Sequence, residues 1–456
     1  MSKQKDIFIQ DSRIAFDKKH RRTINFNVSK YNETVEKGKL RYSNLELAKK
    51  RASWIKENVA ANLGKYLLQF EENALKNNID IIWARDGNEA VDGILNVLKQ
   101  FNTHLLVKSK SMISEEIELN ENLEKEGVDP VETDLGEFIV QIAGEKPYHI
   151  LTPAMHKSKE DVAELFHEKF STPPDSTPEE LTLFVRGVLR KKFTSAEVGV
   201  TGANFLIADV GGVELTENEG NGMMSVSFPK VHIVISGIEK VLPSISDLPL
   251  FLPLLSTLGT GQQVTVYNSL ITGPKKAGES FGPEKMVVVL LDNNRIEIAA
   301  EKEHFKALKC IRCGACLNVC PIYRNVGGYT YNTTYSGPIG SVITPFMRGF
   351  NEFNHLSYAC TVCGACTEVC PVKVPLHDLL LLNRKTSVEK NMDNFSWNAG
   401  MKAFEWAFKK RKNIDKIGGN TKNKLVKLNK KILGPNKDFP AFAKNSFSKN
   451  WKLNLK

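Results

Sequence analysis

The chain has 456 residues, 41% of them hydrophobic and 25% charged, ordinary values for a globular protein of two or three domains. Its densest apolar runs, 248–255 and 286–291, fall far short of the ~20 residues a membrane-spanning helix needs, and residues 1–10 lack the apolar stretch of a signal peptide, so a cytoplasmic protein is expected. The net charge of +10 belongs to a tail: residues 401–456 hold 16 Lys/Arg against 3 Asp/Glu, a balance of +13, which leaves the other 400 residues at −3.

Taken in chain order, residues 1–64 read as an N-terminal helical segment. Its first 45 residues are polar, with Lys18, Lys19, Arg21 and Arg22 scattered through them, and are expected to be irregular. From 45 to 75 apolar residues recur at helical spacing (Trp54, Ile55, Val59, Leu63, Tyr66, Leu67, Phe70), which predicts one or two helices. Strands and helices then alternate. Strands are expected at 79–84, 105–107, 131–134 and 149–151. Helices are expected at 86–101, 114–126 and 135–143. Ser158 with Asp161, and Thr177 with Glu180 behind Pro178, are capping-box patterns opening helices that run to Phe170 and about Lys192. Val- and Ile-rich strands follow at 204–209, 213–216, 231–236, 263–267 and 286–291. Residues 65–300 therefore read as an α/β domain, largely parallel, with a β-rich second half.

All eight cysteines come next, in two runs. Cys310, Cys313, Cys316 and Cys320-Pro321 form a C-x2-C-x2-C-x3-C-P pattern, and Cys360, Cys363, Cys366 and Cys370-Pro371 repeat it. This is the bacterial-type pattern that holds a [4Fe–4S] cube. Cysteines three apart wrap three corners. The small residues Gly314-Ala315 and Gly364-Ala365 let backbone N–H groups approach the cluster, where hydrogen bonds to sulfur tune its potential. The fourth cysteine lies too far round to close its own cube and in two-cluster ferredoxins serves the other one. The expected ligand sets are Cys310, Cys313, Cys316 and Cys370 for one cluster, and Cys360, Cys363, Cys366 and Cys320 for the other. Two zinc knots would also use eight thiolates, but zinc sites pair one C-x2-C with a distant second one. A dense disulfide framework belongs to small secreted domains. The 39 residues between Cys320 and Cys360 are long for a compact ferredoxin, so a helical two-cluster module over 301–385 is expected, with a helix at 377–384. A basic segment, 386–456, closes the chain. Within it Trp397, Met401, Phe404 and Phe408 fall on one helical stripe, expected to dock on protein and not on a membrane. Beyond Lys412 the chain is Lys/Asn-rich and expected to be mobile.

Outside the cysteines, the strongest signal is 201–221, TGANFLIADVGGVELTENEGN. Its glycines flank a strand, and Glu214, Glu217 and Glu219 follow. Such glycines can cradle an anion, and Glu217 or Glu219 could serve as nucleophile or base. The plainer reading is a hairpin with solvated acidic ends. Lys108-Ser-Lys-Ser111 lies between a strand and a helix, where an anion could sit, or it is a solvated loop. His232, in an apolar strand, reads as a core residue.

With both regions in view, the chain resembles the lactate-utilization iron–sulfur protein family, the B subunit of a three-protein bacterial L-lactate oxidation system. The resemblance rests on KSKSMISEEI at 108–117, residues 201–221, VHIVISGIEK at 231–240, TGPKKAGESFGPE at 272–284, both cysteine runs and GGYTYNTTYSGPIGSV at 327–342. It implies a lactate-utilization domain like sugar-phosphate isomerases and coenzyme A transferases, then a helical dicluster ferredoxin domain. It also implies two partners, a cysteine-rich subunit like those of heterodisulfide reductases and a small protein made only of the lactate-utilization domain. The function expected is an iron–sulfur electron-transfer subunit of a complex oxidising L-lactate to pyruvate. The competing readings are a coenzyme A transferase- or isomerase-like enzyme with structural clusters, and a nucleic-acid binder using the basic tail. No G-x-G-x-x-G follows a strand, so the sequence carries no flavin or nicotinamide fingerprint.

Overall fold

The computed structural model describes residues 2–390, 392, 395–428 and 440–454. Contacts divide the chain into a large unit, Met1–Thr386, and a smaller one, Ser387–Lys456.

The large unit is built on ten strands: β1 (Ile79–Ala84), β2 (Leu105–Lys108), β3 (Asp129–Glu132), β4 (Val198–Gly202), β5 (Phe205–Ile207), β6 (Gly212–Glu217), β7 (Val231–Gly237), β8 (Val241–Leu242), β9 (Tyr267–Ile271) and β10 (Lys285–Leu291). Six of them form one all-parallel sheet in the order β1-β10-β7-β4-β2-β3. Every residue of β7 is buried, as are six of the seven in β10. Largely apolar runs such as VHIVISG and KMVVVLL suit central strands covered on both faces. β5, β6, β8 and β9 make a second, mixed sheet in the order β8-β5-β6-β9. The α/β architecture with a mostly parallel sheet is thus as the sequence implied.

Several local expectations are corrected. The first 45 residues are helical, not irregular: Lys3–Asp11 and Lys18–Lys39 flank a short 3-10 turn. The long helix buries only Ile24, Val28, Val35 and Gly38, a sparse stripe that composition hides. A Cβ on Gly38 would stand 2.7 Å from the Gly261 carbonyl oxygen, so glycine permits the crossing with helix Leu248–Thr260. The helix expected at 114–126 is broken into Met112–Glu116 and Leu119–Lys125 by Glu118, whose φ of 51° is left-handed. Residues 149–151 form no strand. The Leu151 N–H donates to His149 Nδ1 at 3.1 Å, and its carbonyl accepts from Lys110 Nζ at 2.8 Å, so neither joins a ladder. The strand expected at 263–267 begins only at Tyr267, because Asn218 Oδ1 takes the Val266 N–H at 3.2 Å.

After Leu291 the described residues hold no strand. The long spacer between the cysteine runs carries helix Gly337–Arg348, buried from Gly337 through Phe346. Pro345 inside it has no N–H to give the Ser341 carbonyl. That oxygen instead accepts from Ser357 Oγ at 3.1 Å and Asn383 Nδ2 at 3.4 Å, so the buried acceptor keeps partners. Asn383 lies on helix Leu376–Glu389, which begins five residues after the second Cys-Pro.

In the smaller unit, Phe395–Lys409 is a helix on which Met401, Phe404 and Phe408 are each about half exposed. The side chain of Trp397 lies outside the described residues. Beyond Lys412, where mobility was expected, the described residues include helices Gly419–Leu428 and Phe447–Asn454. Asn423 there exchanges two hydrogen bonds with the backbone of Phe442, which precedes the second helix. Among the described residues no helix is long and apolar enough to cross a membrane.

Candidate metal centres and an adjoining cavity

The two cysteine runs fold into equivalent loops. Arg312 and Val362, each two residues after the first cysteine of its run, have φ of 60° and 55°; Gly314 and Gly364, four residues after, have φ of 76° and 80°. Left-handed residues alternate with ordinary ones and turn successive N–H groups inward, a nest for negative charge. For a β-branched residue such as Val362 this backbone is costly. The N–H of Arg312 points to Cys310 Sγ at 3.4 Å, that of Val362 to Cys360 Sγ at 3.3 Å, and that of Val374 to Cys370 Sγ at 3.3 Å.

The structure brings Cys310, Cys313, Cys316 and Cys370 around one small cavity, and Cys320, Cys360, Cys363 and Cys366 around another. Each cavity thus takes three cysteines from one run and the fourth from the other. Burial, then the repulsion of neighbouring thiolates, pushes the thiols up, Cys370 to about 11 and Cys366 to about 12. Four thiolates can share such an apolar space only if positive charge lies among them. Four sulfurs, inward N–H groups and a dry wall fit a [4Fe–4S] cluster at each set.

The surroundings differ. At the first set Cys313, Cys316 and Cys370 are buried; at the second Cys363 is exposed. The first loop lies against the α/β domain: a Cβ on Gly259 would be 2.9 Å from the Cys313 carbonyl oxygen, and one on Gly314 would be 3.1 Å from the Leu151 side chain. Around Gly364 there is open space. A buried ion-pair chain joins the first loop to the sheet. Arg295, with no exposed side chain, grips Glu116 through both terminal nitrogens at 2.8 Å and Glu239 through Nε at 2.6 Å. Arg312 reaches Glu239 at 3.1 Å while its guanidinium stacks 4.5 Å over Tyr335, and Tyr335 donates to Glu116 at 2.6 Å. Burial works to raise the Glu239 carboxyl, but Arg295, Arg312 and Lys240 prevail and hold it at about 2. Lys56 donates to the carbonyls on either side of Lys240, those of Glu239 at 2.6 Å and Val241 at 3.3 Å, and burial brings it down to about 7.

This seam borders a cavity of about 320 Å³. It opens at the carboxyl ends of β2, β4 and β7, the edge where parallel α/β sheets place ligands, and Cys313 forms part of its wall. The residues singled out in the sequence distribute unevenly over it. Glu217 lines it, yet its oxygens accept the N–H groups of Gly222 at 2.6 Å and Met223 at 2.8 Å, so it caps helix Asn221–Ser227. Glu219 lies at the rim, exposed. Glu214 is buried just behind the lining, accepting from Thr216 Oγ1 at 2.6 Å, its carboxyl raised to about 7 by burial. The 108–111 segment is not a solvated loop: Lys108, Ser109 and Ser111 are buried. Lys108 is taken up by Glu132 at 2.7 Å and Glu115 at 3.2 Å, whereas Lys110 lines the cavity. His232 is a core residue, bonded through Nε2 to Thr201 Oγ1 at 2.8 Å. Sequence reasoning missed Glu239, Lys240, Arg295 and Arg312. The one available signal was Glu239-Lys240 just past the carboxyl end of a strand that is largely apolar in sequence.

Comparison with known proteins agrees with both halves. Residues 67–291 match the LUD domain family and residues 306–374 the 4Fe-4S dicluster domain family, so the chain carries two [4Fe–4S] clusters. Lactate utilization protein B of Bacillus subtilis (strain 168) is 44% identical over 377 residues, covering 80% of this chain and 78% of that one. Lactate utilization protein B of Anoxybacillus flavithermus (strain DSM 21510 / WK1) is 40% identical over 407 residues, covering 84% and 86%. An uncharacterized electron transport protein of Escherichia coli (strain K12), YkgF, is 41% identical over 357 residues, covering 78% and 75%.

Proposed function

The chain belongs to the lactate utilization protein B family, and on that premise we propose that it is the iron–sulfur electron-transfer subunit of a cytoplasmic complex that oxidises L-lactate to pyruvate. The observation that carries this reading is the position of Cys313, in the wall of the cavity and of the first cysteine set alike. When bound, [4Fe–4S] clusters supply one-electron carriers. Oxidation of L-lactate to pyruvate releases two electrons and two protons, a number two such centres match. Cys310, Cys313, Cys316 and Cys370 hold one cluster; Cys360, Cys363, Cys366 and Cys320 hold the other. The exposed Cys363 leaves the second set facing outward, which suits hand-over to another protein. The partners proposed are a cysteine-rich subunit like those of heterodisulfide reductases and a small protein made of the lactate-utilization domain alone.

The test is purification without air, with iron and sulfide counted and co-purifying subunits identified, then addition of L-lactate. A reversible paramagnetic signal that needs both lactate and the partners is expected. Clusters that dithionite reduces but that L-lactate leaves unchanged in the intact complex would contradict the reading. The second reading, acyl-transfer or isomerase chemistry with structural clusters, draws on Glu217 and Glu219 in the cavity wall. It requires activity that survives cluster loss. The carboxylate of Glu217, engaged by two N–H groups, counts against it as a nucleophile.

A further inference from the structure

The cavity at the carboxyl edge of the parallel sheet contains two kinds of cation. Arg295 and Arg312 are committed to Glu116 and Glu239. Lys240 and Lys110 are not. Among the described residues no carboxylate lies within ion-pair distance of either, although both line the cavity and both are largely covered by protein. Lys110 Nζ donates at 2.8 Å to the carbonyl of Leu151, whose side chain abuts Gly314 in the first cysteine loop. Lys240 directly follows Glu239, the carboxylate that Arg312 of the same loop grips. Both lysines therefore stand on the cysteine side of the cavity.

The nearby acidic groups act on them through space, Glu239 and Glu214 on Lys240 and Glu137 on Lys110, but none forms an ion pair with either. Glu239 is shared by two arginines, Glu217 is satisfied by backbone N–H groups, and Asp134 caps helix Leu135–Ile142 by accepting the Glu137 N–H at 3.0 Å. A partly buried ammonium with no carboxylate at ion-pair distance is costly, and an anion from solution reduces that cost. Asn204 also lines the cavity; its Oδ1 accepts the Thr216 N–H at 3.0 Å, and its Nδ2 can donate to a hydroxyl or a carbonyl group, whereas the amides of Asn218 and Asn221 are engaged with Gln262 and Thr133.

We propose that this cavity is a binding site for a small 2-hydroxy- or 2-oxocarboxylate, whose carboxylate is held by Lys240 and Lys110 beside the first cysteine set. The carboxylate follows from the uncommitted lysines; the choice of the 2-hydroxy acid rests on the function proposed above. Lys56 donates to the carbonyls on both sides of Lys240, at 2.6 Å and 3.3 Å.

The test is calorimetric titration, without air, of the full chain carrying both clusters, using L-lactate, pyruvate and inorganic phosphate as separate probes. L-lactate and pyruvate should bind the unaltered chain, and phosphate at least tenfold more weakly. Lys240→Gln should raise the Kd for L-lactate by at least ~10-fold, the range of a lost hydrogen bond between charged groups, and Lys240→Arg should keep most of the affinity. Lys110→Gln should weaken binding in the same direction. Retained iron and melting temperature in each variant separate lost binding from lost fold. Unchanged Kd values in Lys240→Gln and Lys110→Gln, or phosphate bound as tightly as lactate, would overturn the site. If L-lactate reduces the clusters of the complex but does not bind this chain, the site fails and the proposed function stands. If L-lactate binds here yet reduces nothing, the site stands and the proposed function fails.

Discussion

The two cysteine sets have the same loop and opposite surroundings. Arg312 and Val362 share a left-handed backbone, as do Gly314 and Gly364, and each loop turns an N–H onto its first sulfur. Yet the first set is sealed against the α/β domain, beside Lys56, Lys240 and Arg312, while the second exposes Cys363. The spacing of cysteines determines the loop; what packs on the loop determines its use. Where the first run has Arg312, which reaches into a buried ion-pair chain, the second has Val362 and no such tie. The arrangement leaves one set bordering the cavity and the other with an exposed cysteine.

The largest test of this comparison exchanges the closing cysteines. Cys370→Ser should lose the cluster of Cys310, Cys313 and Cys316 and leave that of Cys360, Cys363 and Cys366 with four thiolates; Cys320→Ser should do the reverse. Iron should fall to about half in each, with different paramagnetic spectra remaining. Loss of the cluster belonging to the mutated run would break the crossed assignment.

Next in size is Arg312→Leu. It removes one partner of Glu239, a buried carboxylate, and should cost ~3 kcal/mol. The loss should appear as a lower melting temperature and faster air-driven loss of the first cluster, with the second unaffected. Equal loss at both sets would show that the ion-pair chain does not distinguish them.

Gly314→Ala against Gly364→Ala sharpens the comparison further. Both place a Cβ on left-handed backbone, about 1–2 kcal/mol. Only at Gly314 does the Cβ also press on Ile150 and Leu151, at 3.0 and 3.1 Å, adding about 1–3 kcal/mol of overpacking. Thermal melts should rank Gly314→Ala as the more damaging; a reversed order would contradict the packing described.

The smallest effect is electrostatic. Lys56→Met removes a buried positive charge near Cys310. Measured at about pH 6, below the value to which burial brings Lys56, so that the native lysine is charged, the first cluster's potential should fall by ~50 mV. The second should hardly move. A redox titration of the variant beside the native chain decides it.

Much of this molecule is legible in the sequence, because some signals are local and others are not. The cysteine loops are set by short-range spacing, and strands such as β1, β7 and β10 by runs rich in Ile, Val and Leu. β4 was missed because Val-Gly-Val-Thr-Gly reads as a loop. Gly199 is needed there because a side chain would collide with the Ser225 carbonyl. Residues 149–151 look like a strand because Ile150 is apolar, but that side chain covers the first cysteine set instead of joining a ladder. The first 45 residues hid a 22-residue helix with few buried positions. At the cavity, Lys110 and Glu217 fell within segments already singled out. The chain of Glu116, Arg295, Glu239 and Arg312 could not be seen, since it joins residues far apart in sequence whose pairing only the fold creates.

The most direct measurement of the central claim, that the first cysteine set faces the substrate and the second faces the outlet, is rapid-freeze paramagnetic resonance on the assembled complex mixed with L-lactate. Three chains are compared: native, Cys370→Ser and Cys320→Ser. The account predicts that Cys320→Ser still shows lactate-dependent reduction of the remaining cluster, while in Cys370→Ser the cluster of Cys360, Cys363, Cys366 and Cys320 stays oxidised with lactate though dithionite reduces it. Full lactate-dependent reduction of that cluster in Cys370→Ser would contradict it.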